Sequence, residues 1–298
     1  MSKAILFVNL KKENARTLTD EIILELDNRN FQADVFTYLE KPDFSDKYDI
    51  AFSLGGDGTV LYTARAMAPL DTPVIPINIG TLGFIAAVRS DKWKDVFDSW
   101  LKGKAPLSRR LMLEAKVMRG DKEVLRTSCL NDIVISASIN AKMIRLKVFS
   151  VERNAIDCKN FNDSSLSLGQ YRSDGLIIAK PTGSTAYSVA AGGPILDPEL
   201  EAIIVNPICP FTLSYRPIVL PAREIVMVEV EKEQRSGVLL TVDGQTNEAL
   251  EPGDQIFVSP LSKQLTLISS DRNAFYYALR SKFSWLETPG IESGASNA

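Results

Sequence analysis

Ser53-Leu54-Gly55-Gly56-Asp57-Gly58-Thr59 joins an apolar run that predicts a buried strand to a segment, 59–68, that predicts a helix. A strand that turns through glycines into a helix presents free backbone N–H groups, which commonly bind phosphate. Glycine also permits positive φ and lets a ligand approach the backbone closely. Asp57 would repel phosphate, so its carboxylate suits a metal ion or the proton of an acceptor hydroxyl. The stretch therefore predicts an anion site, with an ordinary structural turn as the alternative.

Two familiar nucleotide-binding motifs do not match this glycine turn. The sequence contains no Gly-x-x-x-x-Gly-Lys-Ser/Thr pattern, which excludes a P-loop. Leu61 stands where the dinucleotide-binding fingerprint Gly-x-Gly-x-x-Gly requires its last glycine. The turn therefore belongs to another class of phosphate site.

The size and charge of the chain exclude several classes of protein. Its 298 residues, 45% of them hydrophobic, are enough for two domains with full cores. The 34 basic and 37 acidic residues give a net charge of −3 without a strong basic stripe, so we expect no nucleic-acid partner. No run of about 18 apolar residues occurs, and the apolar segment 4–8 is too short for a signal peptide. We expect a cytoplasmic protein that does not bind membranes.

The lack of any histidine narrows the possible chemistry. Ser-His-Asp triads, Cys-His pairs and zinc sites that need imidazole are all excluded. Cys129, Cys158 and Cys209 are widely spaced, which is typical of reduced thiols and not of a disulfide framework or a metal site. A general base must therefore be an aspartate, glutamate, lysine, tyrosine or cysteine thiolate.

Residues 1–105 alternate between strand-like and helix-like segments. Strands are predicted at 5–8, 33–38, 49–54 and 73–78, and amphipathic helices at 14–29 and 91–102. This alternation predicts an α/β domain with a parallel sheet that is covered by helices on both faces.

The pattern changes near Leu107 to many short strands with few helices. Such strands are predicted at 113–119, 124–128, 132–137, 143–151, 176–180, 218–220, 225–230, 237–242, 255–259 and 264–268. Residues 106–270 are therefore predicted to form a β-sandwich domain. The polar segment 154–169 is predicted to be a flexible hairpin insertion. Residues 271–286 are predicted to form a helix that packs back on the first domain, and 287–298 a disordered tail.

Further segments carry candidate binding groups. A second glycine-bounded loop, 78–84, follows a predicted parallel strand, and ligands bind at the carboxyl ends of such strands. Asn131 and Asp132 place an amide beside a carboxylate, which suits ribose hydroxyls, with an Asx turn as the alternative. Residues 181–188 place five hydroxyls at the start of a predicted helix, which suits a nucleotide, with a capped helix as the alternative. Residues 242–245 predict a hairpin turn.

Together these motifs resemble those of the NAD kinase family. The resemblance runs from about Asp49 to Glu287. Its specific segments are Gly55–Thr59, Asn78–Phe84, Leu130–Asp132, Arg172–Gly175, Pro181–Ser188, Gly192–Leu196, Ser214–Leu220 and Asp243–Gln245. The glycine motif alone also occurs in diacylglycerol kinases, sphingosine kinases and phosphofructokinases. Its combination with Pro-Thr-Gly-Ser-Thr-Ala-Tyr is more specific.

The resemblance implies an α/β domain joined to a β-sandwich domain, with the active site between them. It implies ATP-dependent phosphorylation of the adenosine 2′-hydroxyl of NAD to NADP, with Asp57 as the general base and Mg²⁺ offsetting the phosphate charge. It assigns NAD binding to Asp57, Gly58, Phe84, Asn131, Asp132, Arg172, Asp174, Thr185, Ala186, Tyr187, Ser188 and Gln245. It assigns phosphate binding to Gly55, Gly56, Gly58 and Thr59. It also implies a homodimer or a homotetramer.

Individual roles follow from the same resemblance. Asn131 and Asp132 would hold ribose hydroxyls, and Asp174 would contact the nicotinamide side with Arg172 nearby. Residues 185–188 would line the pocket. Phe84 would offer an aromatic wall beside a base, and Gln245 would approach the dinucleotide.

The chain departs from the family pattern at two residues. Asp132 stands where the family usually has glutamate, so its reach to ribose is one methylene shorter. Phe211 stands where the family usually has histidine and cannot make the polar contacts of imidazole. The segment 154–169 also exceeds the usual length. Two other functions stay open, namely a lipid or sugar kinase of the wider glycine-motif group and a non-catalytic NAD(P)-binding sensor.

Overall fold

The structure is a computed structural model. It describes residues 2–37, 47–138, 142–152, 165–212, 214–269 and 271–283. The helices are α1 (Ala15–Asn28), α2 (Asp57–Met67), α3 (Trp93–Leu101), α4 (Tyr187–Ala190) and α5 (Arg272–Phe283). The strands up to the middle of the chain are β1 (Ser2–Val8), β2 (Phe31–Phe36), β3 (Ile50–Gly55), β4 (Val74–Asn78), β5 (Val88–Arg89), β6 (Leu107–Arg110), β7 (Leu113–Arg119), β8 (Lys122–Cys129), β9 (Asp132–Ala137) and β10 (Ile144–Glu152). The later strands are β11 (Leu166–Ser173), β12 (Gly175–Ala179), β13 (Ala202–Ile208), β14 (Ile218–Pro221), β15 (Glu224–Val230), β16 (Val238–Val242), β17 (Thr246–Leu250), β18 (Gln255–Pro260) and β19 (Leu265–Ile268).

The first sheet has seven strands in the order β2-β1-β3-β4-β19-β6, and β5 pairs with β4. The pairs that join β1, β2, β3 and β4 are parallel. Side chains alternate along β1, so that Leu6 packs with α1 and α3 whereas Phe7 packs with α2. Helices therefore cover both faces, and the predicted α/β class is confirmed.

Two six-stranded antiparallel sheets form the second unit. Their orders are β11-β10-β15-β18-β7-β8 and β14-β13-β12-β9-β16-β17. One apolar cluster takes side chains from both sheets, including Val148 and Val228 from one and Ile135 and Ile178 from the other. This shared core is that of a β-sandwich, as predicted.

Strand pairing corrects the predicted division of the chain at one point. Residues 106–270 are predicted to belong to the sandwich, but β6 and β19 are strands of the first sheet. Leu267 is fully buried in the α2 side of that sheet, and Ile268 is fully buried in the opposite side. Because β19 is apolar on both faces, it fits a sheet that helices cover on both sides.

The C-terminal helix α5 contacts both units. Its Phe275 and Phe283 rings lie 6.1 and 5.9 Å from the ring of Phe84, which follows β4. Its Arg272 and Tyr276 bind the carboxylate of Asp197. Residues 153–164, most of the predicted insertion, and the predicted tail 287–298 lie outside the described residues.

Candidate active site

The glycine turn lies at the carboxyl end of β3, as predicted. Strand β3 ends at Gly55, Gly56 caps the helix, and α2 begins at Asp57. A Cβ atom on Gly55 would stand 2.1 Å from Thr59 Oγ1 and 3.3 Å from Asn9 Cβ. Only glycine therefore fits at position 55, where the turn packs against Thr59 and against Asn9 in the segment after β1.

The carboxylate of Asp57 is held by three backbone amides. Phe84 N–H donates to Oδ2 at 2.9 Å, and Ile85 and Ala86 N–H donate to Oδ1 at 3.1 and 2.8 Å. A Cβ atom on Gly83 would stand 1.9 Å from Asp57 Oδ1. An ionised carboxylate has about four acceptor positions, so the three amides orient Asp57 and leave one position for a ligand proton.

Phe84 is covered by the C-terminal helix. Besides the two phenylalanine rings of α5, the Lys282 ammonium lies 4.9 Å from the centre of the Phe84 ring. The residue is half-buried, and its amide is one of the three that hold Asp57. Helix α5 thus packs directly on the loop that orients the candidate base.

Gln245 connects the sandwich to the glycine turn. It lies in the predicted hairpin turn, between β16 and β17, where Asp243 and Gly244 both have positive φ. Its Nε2 donates to the carbonyl of Gly58 at 2.9 Å, and its Oε1 accepts from the guanidinium of Arg65 on α2. The structure therefore brings Gln245 beside Gly58.

Asp243 was not predicted as a site residue, yet it connects the loop of Asn131 and Asp132 to helix α2. Its buried carboxylate accepts N–H from Leu130 at 3.0 Å, Asn131 at 2.8 Å and Asp132 at 3.3 Å. The guanidinium of Arg65 lies 3.3 Å from the same carboxylate. The Asp-Gly pair in the sequence indicates only a turn, because the partners of Asp243 lie more than a hundred residues away.

We expect Asp243→Asn to lower the free energy of unfolding by about 2–3 kcal/mol and to raise KM for the substrate bound at Asn131 and Asp132, because an amide nitrogen cannot accept these bonds. Chemical denaturation and steady-state kinetics measure the two effects. The matched control is Asp254→Asn, which also removes a buried carboxylate paired with an arginine, Arg119, but within the sandwich. The control should lose stability with KM for that substrate unchanged. Equal KM values in both variants would contradict a positioning role for Asp243.

Asn131 and Asp132 are buried beside the carboxylate of Asp243. Asn131 Oδ1 is buried and has no hydrogen-bond partner among the described residues. Burial, and then the nearby charge of Asp243, raises the pKa of the Asp132 carboxyl to about 7. An acceptor without a partner and a carboxyl that changes charge near neutrality are both suited to ligand hydroxyls.

The hydroxyl-rich segment packs on Asn131, but its shape differs from the predicted helix. Pro181–Thr185 is a 3₁₀ turn, and α4 has only four residues. A Cβ atom on Gly183 would stand 2.2 Å from the Asn131 carbonyl oxygen, so this contact excludes a longer side chain. The irregular turn follows from that close approach.

The hydroxyls of this segment have different surroundings. Ser184 Oγ donates to the Pro181 carbonyl at 2.6 Å, and Ser188 Oγ lies buried 3.3 Å from Asn206 Nδ2. Thr185 and Ala186 are half-buried, and Tyr187 is exposed. The structure thus turns Ser188 inward and leaves Tyr187 at the surface.

Arg172 and Asp174 lie away from the other predicted site residues. In the pairing of β12 with β9, Gly175 faces Ser136 while Ala179 faces Asp132. The end that carries Asp174 is therefore about 13 Å from Asp132, since a strand rises about 3.3 Å per residue. The Arg172 guanidinium lies 4.6 Å from the centre of the exposed Phe211 ring. Within one chain these residues form a separate group.

Lys180 is a buried amine that sequence reasoning missed. Its side chain is fully buried, and Nζ has no hydrogen-bond partner among the described residues. Burial lowers the pKa of Lys180 from 10.5 to about 7, although Cys129 and Asp243 favour the charged form. Protonation of Lys180 in the folded protein therefore lowers the free energy of unfolding.

We expect Lys180→Met to stabilise the protein most at low pH. In wild type the unfolded chain binds the Lys180 proton up to about pH 10.5 and the folded chain only up to about pH 7. Wild-type stability therefore falls as the pH decreases through this window, and the loss is complete below pH 7. Denaturation at a series of pH values should show a variant advantage that is largest below pH 7 and disappears near pH 10.5. A pH-independent difference would contradict this expectation.

Among the residues that the structure describes, no group of three or more cysteine, aspartate or glutamate side chains is arranged to hold a metal ion. None of the helices described is both long enough and apolar enough to cross a membrane.

The glycine turn and the oriented carboxylate of Asp57 lie on an α/β unit that is joined to a β-sandwich. Comparison with family models shows which class of phosphotransferase has this organisation. The model described as ATP-NAD kinase N-terminal domain matches residues 3–105, and the one described as ATP-NAD kinase C-terminal domain matches residues 130–270. The chain belongs to the ATP-NAD kinase family, whose members phosphorylate NAD.

Similar proteins support this membership over the whole chain. NAD kinase of Treponema denticola is 38% identical over 288 residues, which are 96% of this chain and 97% of the relative. NAD kinase of Caldanaerobacter subterraneus subsp. tengcongensis is 37% identical over 236 residues, which are 79% of this chain and 78% of the relative. At the level of fold, yeast NADH kinase complexed with NADH has a TM-score of 0.84 at 22% identity, covering 98% of this chain and 90% of that one. An Archaeoglobus fulgidus NAD kinase in complex with ATP has a TM-score of 0.72 at 22% identity, with coverages of 94% and 99%.

Proposed function

We propose that this protein transfers the γ-phosphoryl group of ATP to the adenosine 2′-hydroxyl of NAD and that Asp57 is the general base. The observation that carries the proposal is that three backbone amides donate hydrogen bonds to the carboxylate of Asp57. They fix the carboxylate at the glycine turn and leave it an acceptor position. The loop of Asn131 and Asp132, which suits ribose hydroxyls, is tied to the same helix through Asp243 and Arg65.

The proposed step needs little covalent chemistry from the protein. The 2′-oxygen forms a bond to the γ-phosphorus, the bond from that phosphorus to the bridging oxygen breaks, and ADP leaves. Asp57 accepts the proton of the 2′-hydroxyl. Asn131 and Asp132 hold the ribose, and residues 185–187 line the dinucleotide. Gly55, Gly56, Gly58 and Thr59 supply the backbone room and amides for phosphate. Positioning and charge stabilisation of this kind account for most of the catalysis in phosphoryl transfer.

The donor set of the site fits a divalent metal that arrives with ATP. The described residues offer no cage of carboxylates, and three of the acceptor positions of Asp57 are taken by amides. Phosphate oxygens would therefore be the main ligands of Mg²⁺. When bound, Mg²⁺ supplies charge neutralisation on the phosphates.

The separation of Arg172 and Asp174 from Asp132 bears on subunit number. We propose that the protein is a homodimer or homotetramer in which these two residues of one copy complete the NAD site of another. Sedimentation measures the oligomeric state directly. In mixtures of inactive Asp57→Asn and Asp174→Ala chains, regained activity would support shared sites, and additive residual activity would contradict them.

A panel of acceptors tests the proposed reaction. The purified protein is incubated with ATP, Mg²⁺ and one of four acceptors: NAD, NAD that lacks the adenosine 2′-hydroxyl, sphingosine, or a hexose phosphate. We expect phosphorylation of NAD alone. If sphingosine or the hexose phosphate were phosphorylated and NAD were not, that compound would be the acceptor instead of NAD. Phosphorylation of the 2′-deoxy analogue would place the transfer elsewhere on NAD, and no transfer to any acceptor would leave a non-catalytic sensor.

A further inference from the structure

A large cavity opens beside the glycine turn on the side of the β1–α1 loop. Its volume is about 710 Å³, and its lining includes Lys11, Lys12, Gly56, Gly58 and Gln245. This volume is within the range of ligand pockets, about 300–1,000 Å³. The cavity thus joins the first amides of α2 to two lysines that no motif in the sequence singled out.

The loop that carries the two lysines is fixed to the end of β3. Asn9 N–H donates to the Leu54 carbonyl at 3.0 Å, next to Gly55. Asn9 Oδ1 accepts the N–H of Lys11 at 3.1 Å, and the Asn9 carbonyl accepts the N–H of Lys12 at 3.0 Å. The backbone of both lysines is therefore set by Asn9, which lies beside the glycine turn.

The charge of the cavity is positive, although the chain as a whole has a net charge of −3. No carboxylate lines the cavity, and no ion pair of Lys11 or Lys12 occurs among the described residues. The ammonium of Lys12 extends towards the loop after β4, where it lies 3.8 Å from the position of a Cβ atom on Gly80. Gly80 itself lines the neighbouring cavity, so the Lys12 ammonium lies where the two cavities meet. Lys11 and Lys12 therefore border the same space as Gly56, Gly58 and Thr59 at the start of α2.

A neighbouring cavity has the opposite character. It has a volume of about 570 Å³ and is lined by Glu13, Glu21 and Asp91 together with Lys12. Three carboxylates would repel a polyanion at this position. Of the two cavities that Lys12 borders, only the one at the glycine turn suits phosphate groups.

We propose that Lys11 and Lys12 bind the triphosphate of the nucleoside triphosphate donor in the cavity at the glycine turn. This inference rests on the proposed function for the identity of the donor. The lysines neutralise the phosphates in this cavity, and the γ-phosphoryl group reaches Asp57, which adjoins Gly56 and Gly58 of the lining. Lysine acts here as a point charge, which suits a phosphate group that must be released as product.

The test measures ATP binding and NADP formation in parallel. The variants are Lys11→Ala, Lys12→Ala and the double variant. The control is Lys102→Ala, which removes an exposed lysine just after α3. We expect each single variant to raise KM for ATP about tenfold, as a charge-assisted contact would, and the double variant to raise it further. KM for NAD should stay within about twofold in the same variants, and Lys→Arg at either position should recover most of the loss.

Calorimetric titration with ATP, ADP and AMP in the absence of NAD separates this inference from the proposed reaction. A loss of affinity in the double variant that grows from AMP to ATP supports the phosphate subsite, even if no NADP forms in wild type. Equal affinity of the double variant and Lys102→Ala for ATP would overturn it. A loss of the same size for AMP and ATP would also overturn it, since the lysines would then act on the nucleoside or on folding.

Discussion

Asp57→Asn is expected to lower kcat for NADP formation by about 10²–10⁴-fold while the dissociation constant for NAD changes little. Asparagine keeps the shape of the side chain and one carbonyl oxygen, so the bonds from Ile85 and Ala86 to Oδ1 can persist. It cannot take up the proton of the acceptor hydroxyl, and it loses the bond from Phe84. Steady-state kinetics and titration with NAD measure the two parameters.

The outcome separates three roles for Asp57. A large fall in kcat with NAD binding retained is the result for a general base. An equal loss of NAD affinity would make Asp57 a binding residue. Unchanged activity would remove it from the chemistry and leave it as an anchor for the loop 83–86. The thermal midpoint of the variant serves as the control for folding.

Gly83→Ala is expected to lower kcat by about 10²-fold although it adds only one methyl group, because displacement of a catalytic group by about 1 Å has effects of this size. The added Cβ atom would stand 1.9 Å from Asp57 Oδ1 and 2.6 Å from its Cγ. Real atoms do not approach so closely, so the carboxylate must move and give up amide bonds. Kinetics with saturating NAD and ATP measure the effect.

The matched control for this variant lies in the same loop. Thr81 is exposed, and Thr81→Ala changes the loop by a similar volume without approaching Asp57. We expect this control to keep near wild-type kcat. If Gly83→Ala and Thr81→Ala had the same kcat, the close packing of Gly83 on the carboxylate would have no part in catalysis.

Local patterns in the sequence predicted most of the regular structure. Periodicity predicted the helix at 14–29, observed at Ala15–Asn28, and the pattern of short strand-like segments predicted β7 and β9 at their observed bounds. Strand β13 was not predicted. It contains Pro207, which normally argues against a central strand, yet it pairs with β12 and β14. Here tertiary packing outweighs local preference, because all of β13 is buried.

The same limit applies to the site. The glycine turn is a local feature, so its position and its strand-to-helix form could be predicted from seven residues. The hydrogen bonds to Asp243 join segments that are more than a hundred residues apart. The hydrogen bonds from the loop 83–86 to Asp57 depend on how that loop folds back. Lys180 gives no periodic or motif signal at all. Contacts of this kind become visible only when the sheets are in place.

Direct contacts join the two units near the candidate site. Gln245 of the sandwich binds Gly58, and Asp243 binds Arg65 of α2. On the other side, α5 packs on Phe84 and binds Asp197 through Arg272 and Tyr276. The candidate base and the candidate ribose pair are thus positioned by the same few contacts.

The most direct test of the central proposal is to follow ADP and NADP together when the wild-type protein is given NAD, ATP and Mg²⁺. NADP is assayed with a dehydrogenase that accepts only the 2′-phosphorylated dinucleotide, and ADP by an independent coupled assay. We expect the two products to form at equal rates and no ADP to form when NAD is omitted. ADP without NADP, or neither product, would contradict transfer of the γ-phosphoryl group to the 2′-hydroxyl of NAD.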